Sequence, residues 1–439
     1  MSDIIATVSD FVCGYPLFIL LIGGGLFLFI YSGFVPLRKF GASIKALGHK
    51  SDGEGQISSF QALMTTISST VGMGNIAGVA IAICMGGPGA IFWMWVSALL
   101  GMATKFFEGT LAIMYRGRDE NGNVKGGPMY RMTEGVSPKR RPLAIFFAFF
   151  GMIGCFCVMQ ANQLTESITT VLTEPMGIAT TLPVKLIIGV VMASLVAVVV
   201  VGGIDRISKL ATKIVPFMVS VYFLLVLIVI VLYIDRLPGV FSQIVSSAFD
   251  FKAGFGAVAG IAIIGARRAM YVNEAGVGTA SLMHGASKNS DPVREGLVAM
   301  LGPAIDSGLV CTLTAIPIIM AGNYEVEGVK GLAIALNSYE ALLPGWGKYM
   351  LMVVVTFFAF STMFSYSIYG IKCASYLFGD KNGQMYKYLY LAVILLSCVA
   401  SLSTVVSIMD FAFAMMAFAT MSTILYLSPR VKALLRTRQ

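Results

Sequence analysis

The stretch Val71-Gly72-Met73-Gly74-Asn75, with Gly78 shortly after, sets glycines and an amide side chain in the middle of an otherwise apolar run. Close contact between membrane helices uses glycine but has no need of the asparagine. Gly-x-Gly-Asn is flexible and polar together, and it predicts an interrupted helix. In hydrocarbon every backbone polar group needs a partner, so an interruption leaves groups that something must occupy. The half-helix starting after the break aims N–H groups and its positive dipole end at the gap, which favours an anion. The half-helix stopping before it aims carbonyls there, which favours a cation. A zwitterionic amino acid with one Na+ satisfies both ends.

Neighbouring polar side chains agree with that chemistry. Thr65, Thr66, Ser68, Ser69 and Thr70 precede the break. A later apolar run carries Gln160, Asn162, Gln163 and Glu166, and another carries Ser361, Thr362, Ser365 and Tyr366. These groups are neutral and oxygen-rich apart from Glu166, which suits a hard monovalent cation and a zwitterion, although any single hydroxyl can instead bond back to its own helix. A second glycine-bearing run holds Gly254, Gly256 and Gly260 and is expected to be the matching interruption, although Gly254 and Gly256 taken alone read better as glycines of helix–helix contact. Intramembrane charges are functional candidates by default. Lys105 and Glu108 stand three residues apart and are read as neutralising each other. Asp306 is left as a proton relay or as a structural acceptor for nearby amides or for Arg267 and Arg268; Asp410 is similar but less central.

The elements that must position these residues follow from composition. The 439 residues are 57% hydrophobic and only 12% charged, with a mean hydropathy of +0.83; a soluble domain carries about 25% charged residues. Apolar runs long enough to span a bilayer fall at 14–35, 58–84, 88–115, 142–170, 182–201, 209–234, 252–270, 293–322, 346–377, 385–404 and 405–428, with the last split near Ser401–Ser407. The N-terminal segment holds no Lys or Arg and no small-residue cleavage site follows the first run, so that run reads as a span, not a signal peptide.

With the N-terminus outside, 25 of the 31 Lys and Arg residues lie on the inner side and five on the outer. The inner set includes Lys50, Arg116, Arg267, Arg268 and Arg438; the outer set is Lys185, Arg236, Lys252, Lys330 and Lys348. The positive-inside rule therefore predicts N-out and C-in. The expected organisation is an all-α polytopic membrane protein of eleven helices. Residues 1–57 form an N-terminal helix and first cytoplasmic loop, 58–234 and 252–428 two five-span units, 235–251 an outer connection and 429–439 a basic cytoplasmic tail. Five spans per unit force opposite orientations, so the units form an inverted repeat with a discontinuous helix opening each.

Several function classes are poorly supplied. The net charge of +9 is spread between apolar runs, which suits the inner face of a membrane better than nucleic acid. The seven cysteines lie in or beside apolar runs with no zinc or disulfide spacing, and two histidines, His49 and His284, offer little to a transition metal. An intramembrane enzyme would need convergent nucleophile, acid–base or metal groups, and a channel a continuous polar pore or repeated filter loop; neither pattern is present. No obligate protein partner is implied.

The stretches Phe60-Gln61-Ala62-Leu63, Val71 through Ala80, Gly86-Gly87-Pro88-Gly89-Ala90, Phe92-Trp93-Met94-Trp95, Gly126-Gly127-Pro128-Met129-Tyr130, Asn273-Glu274-Ala275-Gly276, Phe358 through Thr362 and Tyr369-Gly370 together resemble the alanine/glycine:cation symporter family. The resemblance spans nearly the whole chain. It implies a leucine-transporter-type fold and Na+-coupled uptake of alanine, glycine or related amino acids across the cytoplasmic membrane of a prokaryote. It also implies site roles. Met73 and Gly74 amides would meet the substrate carboxylate beside Asn75, and Gln160, Gly260, Thr362 and Tyr366 would line the substrate. Ser68, Val71, Ala359 and Thr362 would surround Na+, the only metal expected. Tyr366, a smaller ring, stands where the family typically has Trp and leaves room for a bulkier amino acid such as glutamine; Val272 stands where Ser is expected, and proton coupling remains the alternative to sodium.

Overall fold

The computed structural model describes residues 12–49, 53–118, 122, 124–250, 255–324 and 331–437. Among them the regular structure is helical apart from a two-residue antiparallel pairing of Gly117–Arg118 with Val124–Lys125. In chain order the principal helices are α1 (Tyr15–Tyr31), α2 (Ser59–Thr70), α3 (Gly74–Gly86), α4 (Gly89–Met114), α5 (Arg141–Gly154), α6 (Val158–Ile168), α7 (Leu182–Val200), α8 (Gly203–Leu232), α9 (Leu237–Ala248), α10 (Phe255–Asn273), α11 (Thr279–His284), α12 (Pro292–Ala321), α13 (Leu332–Leu342), α14 (Gly347–Phe378), α15 (Tyr386–Ser397) and α16 (Leu402–Arg436).

Seven of these helices or fused pairs are long and apolar enough to cross a membrane, and the pair α2–α3, bent by 54°, makes an eighth among the described residues. The chain is a multi-pass membrane protein. The expected spans 14–35, 252–270 and 385–404 fall on α1, α10 and α15, which lie outside that group. α1 and α15 are short, while α10 carries Arg267 and Arg268 and ends on Asn273.

Local sequence explains the element ends. Ser58 and Gln61 form a reciprocal capping box at the start of α2, the Gln61 N–H donating to Ser58 Oγ at 3.1 Å and the Ser58 N–H to Gln61 Oε1 at 2.9 Å. Asp291 caps α12 by accepting the Val293 and Arg294 amides, with Pro292 in the first turn where its missing N–H costs nothing. Ser401 caps α16, so the last split falls at Cys398–Ser401, at the leading edge of the expected position. α16 then continues to Arg436, which makes Arg430, Lys432 and Arg436 the last turns of a helix and not a separate tail.

Three further expectations change. The segment 235–251 contains α9, whose end packs on α4: Phe249 meets Phe92 with ring centroids 4.9 Å apart, and Trp93 Nε1 donates to the Ala248 carbonyl at 3.4 Å. Arg267 and Arg268, assigned to an inner loop, are within α10. Arg267 pairs with Asp410 of α16 at 2.7 Å and Arg268 approaches it at 3.9 Å, so Asp410 and not Asp306 receives them. Of the charges used for orientation, Lys50, Lys252, Lys330 and Arg438 lie outside the described residues.

The second interruption is also relocated. Gly254 lies outside the described residues, and α10 runs unbroken through Gly256 and Gly260. A Cβ at either would meet nothing within 4 Å, so these glycines are tolerated in a helix without a break. Gly265 is different: its Cβ would come 2.6 Å from the Ala90 carbonyl and 2.8 Å from Trp93 Cβ on α4. Gly265→Ala is therefore expected to lower stability by about 1–3 kcal/mol through overpacking, read as a drop in the thermal midpoint in detergent, while Gly260→Ala leaves that midpoint near the wild-type value.

Candidate functional site

α2 stops at Thr70, and Val71 takes an extended conformation (ψ 91°) that turns the chain out of the helix. Asn75 closes the gap: its Oδ1 accepts the Gly72 N–H at 2.9 Å, while its own N–H donates to the Gly72 carbonyl at 3.1 Å. Its Nδ2 reaches the Asp306 carbonyl at 3.3 Å. Met73 and Gly74 open the next half-helix, where first-turn amides have no intrahelical acceptor. Both are buried. Gly74 leaves room for the Tyr271 ring, which a Cβ would meet at 3.1 Å.

α14 lies against this break. Ser68 donates to the Ser361 carbonyl at 2.9 Å and accepts from Ser365 at 2.8 Å, and Ser69 shares a hydrogen bond with Tyr369 Oη at 2.8 Å. Thr362 donates to the Phe358 carbonyl at 2.9 Å, leaving its oxygen lone pairs to face Gly72, where an added Cβ would collide with them. Ala359 is one turn earlier on the same helix. Thr65 and Thr66 bond back to the Gln61 and Ala62 carbonyls and take no part.

A second break separates α10 from α11. Glu274 adopts a left-handed conformation (φ 52°), and Gly276 and Gly278 follow at φ 87° and 97°, values that glycine accepts without a Cβ clash. Side chains satisfy the freed backbone. Glu108 accepts the Gly276 amide at 2.7 Å, Asn273 Oδ1 the Ala275 amide at 2.9 Å, and Thr420 donates to the Gly276 carbonyl. The Glu274 carboxylate accepts from the hydroxyls of Thr279 and Tyr366. A third interruption, at Cys155–Cys157, divides α5 from α6, with Cys157 left-handed (φ 53°) and its thiol directed at the Thr362 carbonyl at 3.7 Å.

Beyond that turn, α6 separates its polar residues by task. Asn162 binds the Ser397 and Ala400 carbonyls at the end of α15, and Gln163 accepts the Leu332 amide opening α13. Gln160 has a buried Oε1 without a hydrogen-bond partner. Around Glu108 the charges alternate: Lys105 Nζ is 3.8 Å from its Oε2, and Arg131, in the short loop helix before α5, acts on it electrostatically. Burial pushes the Arg131 guanidinium down to about 10, opposed by Glu108, so it stays charged at neutral pH.

The expected site residues thus divide. Val71, Met73, Gly74, Asn75, Ser68, Ala359 and Thr362 come together where the first break meets α14, and Gln160 follows the Cys157 turn that touches Thr362. Tyr366 is one turn further along α14 and faces the second break. Gly260 is not brought in: Tyr271, the α10 residue that meets Gly74, is eleven residues away, about 16 Å along a helix. Glu274, Tyr271, Asn273 and Tyr369 were not expected, although Gly276-Val277-Gly278 beside an asparagine repeats the composition of the first break.

A family model described as the sodium:alanine symporter family matches residues 1–438. Sodium/alanine symporter AgcS of Methanococcus maripaludis is 39% identical over 435 residues, covering 97% of this chain and 94% of that protein. The probable sodium/glutamine symporter GlnT of Bacillus subtilis is 32% identical over 447 residues, covering 100% and 91%. Among solved structures, MhsT in complex with L-phenylalanine aligns with a TM-score of 0.61 at 14% identity, over 84% of this chain and 89% of that one. A manganese transporter of Eremococcus coleocola aligns at 0.55 and 13%, over 85% and 82%. The fold is of the leucine-transporter type.

Gly72→Ala tests the junction between the first break and α14. Its methyl group displaces the Thr362 hydroxyl, so Na+-dependent amino-acid binding is expected to weaken by tenfold or more, about 1.4 kcal/mol. Gly78→Ala, whose Cβ meets nothing within 4 Å, is expected to bind like the wild type.

Proposed function

The chain belongs to the sodium:alanine symporter family, and on that footing we propose that it imports a small neutral amino acid, alanine or glycine, together with Na+ across the plasma membrane of a prokaryote. It is a transporter and not an enzyme. The observation that carries the proposal is the contact between Gly72 and Thr362, which sets main-chain groups of the first break beside a hydroxyl whose lone pairs are free. Ser68, Val71, Ala359 and Thr362 are the proposed Na+ ligands. The Met73 and Gly74 amides receive the substrate carboxylate beside Asn75, and the unpartnered Gln160 oxygen accepts from the substrate ammonium. Tyr366, held by Glu274, forms the wall nearest the substrate side chain.

That wall supports a second substrate. Tyr366 is smaller than the indole typical of the family; with the likeness to a probable sodium/glutamine symporter, this favours glutamine as the alternative cargo.

Carriage proceeds by alternating access, with the broken helices holding ligands near mid-membrane while the surrounding helices rock, in two inverted five-helix units with N-terminus out and C-terminus in. One Na+ entering down 100 mV gains about 2.3 kcal/mol, and a tenfold inward gradient adds about 1.4 kcal/mol. The total, about 3.7 kcal/mol, supports accumulation of a neutral solute by several hundredfold. Coupling arises because Na+ holds the break in the geometry that presents amides to the carboxylate, so each ligand raises the affinity for the other.

Radiolabelled uptake into proteoliposomes under a Na+ gradient tests this directly. Alanine or glycine uptake is expected to collapse when choline replaces Na+ at fixed pH; uptake unchanged in choline would end the sodium-symport assignment. Thr362→Ala is expected to raise the half-saturating Na+ concentration by tenfold or more, the loss of about one charge-assisted ligand, while substrate affinity at saturating Na+ changes much less. Equal losses in both would make the hydroxyl structural.

A further inference from the structure

Asp306 lies in a π-helical turn, Ala304–Val310, in the middle of α12. It is completely buried. One carboxylate oxygen accepts the Ser307 amide, while Oδ2 has no hydrogen-bond partner. The Thr70 hydroxyl faces it but donates to the Ile67 carbonyl at 3.5 Å.

This turn touches both breaks. The Asp306 carbonyl accepts Asn75 Nδ2 at 3.3 Å, and the Ser307 hydroxyl accepts Asn273 Nδ2 at 3.1 Å. Around it the charges do not balance. From α4 come Lys105 and Glu108, from the second break Glu274, and behind Glu108 Arg131; Cys311 on α12 is the remaining titratable neighbour. The charged residues of α10, Arg267 and Arg268, are directed at Asp410. Two cations thus face three carboxylates, leaving one negative charge in excess. Glu108 is flanked by both cations and accepts an amide; Glu274 accepts from two hydroxyls. Glu108 and Asp306 each keep one buried carboxylate oxygen without a hydrogen bond, but that of Glu108 has Lys105 Nζ 3.8 Å away, whereas no cation is paired with Asp306 Oδ2 among the described residues. A net buried charge in a low-dielectric interior is costly unless a proton or ion neutralises it. An alkali ion requires a shell of several oxygens, whereas a proton requires one.

We propose that Asp306 is a proton-binding site of the transport cycle, distinct from the Na+ site at Ser68, Val71, Ala359 and Thr362. The proton adds to Oδ2 and is released from it, with no other bond made or broken. In the protonated state the new O–H donates to the Thr70 hydroxyl at the end of α2. The proton therefore acts on the first break through Thr70 and Asn75, and on the second through Ser307 and Asn273. It accompanies the substrate inward and leaves on the inner side. This inference rests on the amino-acid symport proposed above.

The test uses the full-length protein in proteoliposomes with a weakly buffered exterior, a Na+ gradient and labelled alanine, recording external pH and uptake together. In the wild type, uptake is expected to make the exterior alkaline by about one proton per alanine carried, as for an intramembrane carboxylate relay. Asp306→Asn brings that ratio to zero for whatever alanine it still carries, and Asp306→Glu retains it. Should neither variant carry substrate, the wild-type ratio decides alone. Na+-driven uptake with no proton movement would overturn the proton site and leave the symport standing. A wild-type proton signal that survives in Asp306→Asn would equally overturn it. Loss of Na+-driven uptake in the wild type, with alanine still drawn in by a pH gradient through Asp306, would retain the site and overturn the sodium reading instead.

Discussion

In hydrocarbon a peptide group without a hydrogen-bond partner is destabilising by several kcal/mol, and among the described residues three breaks in the helical ladder meet around the candidate site. Each departure has its own closure. Asn75 takes the Gly72 amide; Glu108, Asn273 and Thr420 take the groups freed between Asn273 and Thr279; and at the third the Cys155 and Phe156 amides donate to the Gly151 and Ile153 carbonyls. The amides of Met73 and Gly74 begin a helix within this closed surrounding. The same economy of partners that forbids irregular backbone facing lipid makes that helix start an attractive place for a carboxylate.

The Lys105–Glu108 pair shows how much depends on those closures. Neutralising two charges three residues apart would be sufficient reason for the pair, and their 3.8 Å separation agrees with it. But Glu108 also holds the Gly276 amide, and Ser281 donates to the Glu108 carbonyl at 3.3 Å. The carboxylate is thus a fastening for the second break, with Lys105 3.8 Å away and Arg131 close enough to act on it electrostatically. Removing one member of such a buried set costs more than the pair contributes, because the survivor is left uncompensated.

The first break was legible because its signal is compact: glycines and an asparagine inside one apolar run, which no helix-packing role requires together. The second was not, although Asn273 to Gly278 has similar composition. The apolar run that locates α10 ends at 270, so the break lies just past it and reads as a loop, while Gly256 and Gly260 inside the run drew attention to a helix that remains whole. Partners distant in sequence were likewise beyond reach. Arg267 meets Asp410 across 143 positions and Tyr366 meets Glu274 across 92; periodicity cannot supply such pairs. Among Gln160, Asn162 and Gln163, type alone gave no reason to prefer one. The ends of α13 and α15 do, by engaging the other two.

Two breaks in separate parts of the chain need a common element if occupancy at one is to be felt at the other. α12 provides it at adjacent residues, Asp306 bonded to Asn75 and Ser307 bonded to Asn273. Coupling free energies between sites are typically about 1–3 kcal/mol, and a single hydrogen bond contributes about 0.5–1.5 kcal/mol net. Two such bonds, strengthened or weakened together as the π-helical turn shifts, are therefore of sufficient size to link the occupancy of the breaks without a large displacement. A π-helical turn is suited to this task because its peptide groups are less tightly committed than those of an α-helix and often mark functional positions. The link works in both directions: whatever stabilises the first break through Asn75 stabilises, by the same amount, the arrangement that holds Asn273 and the second.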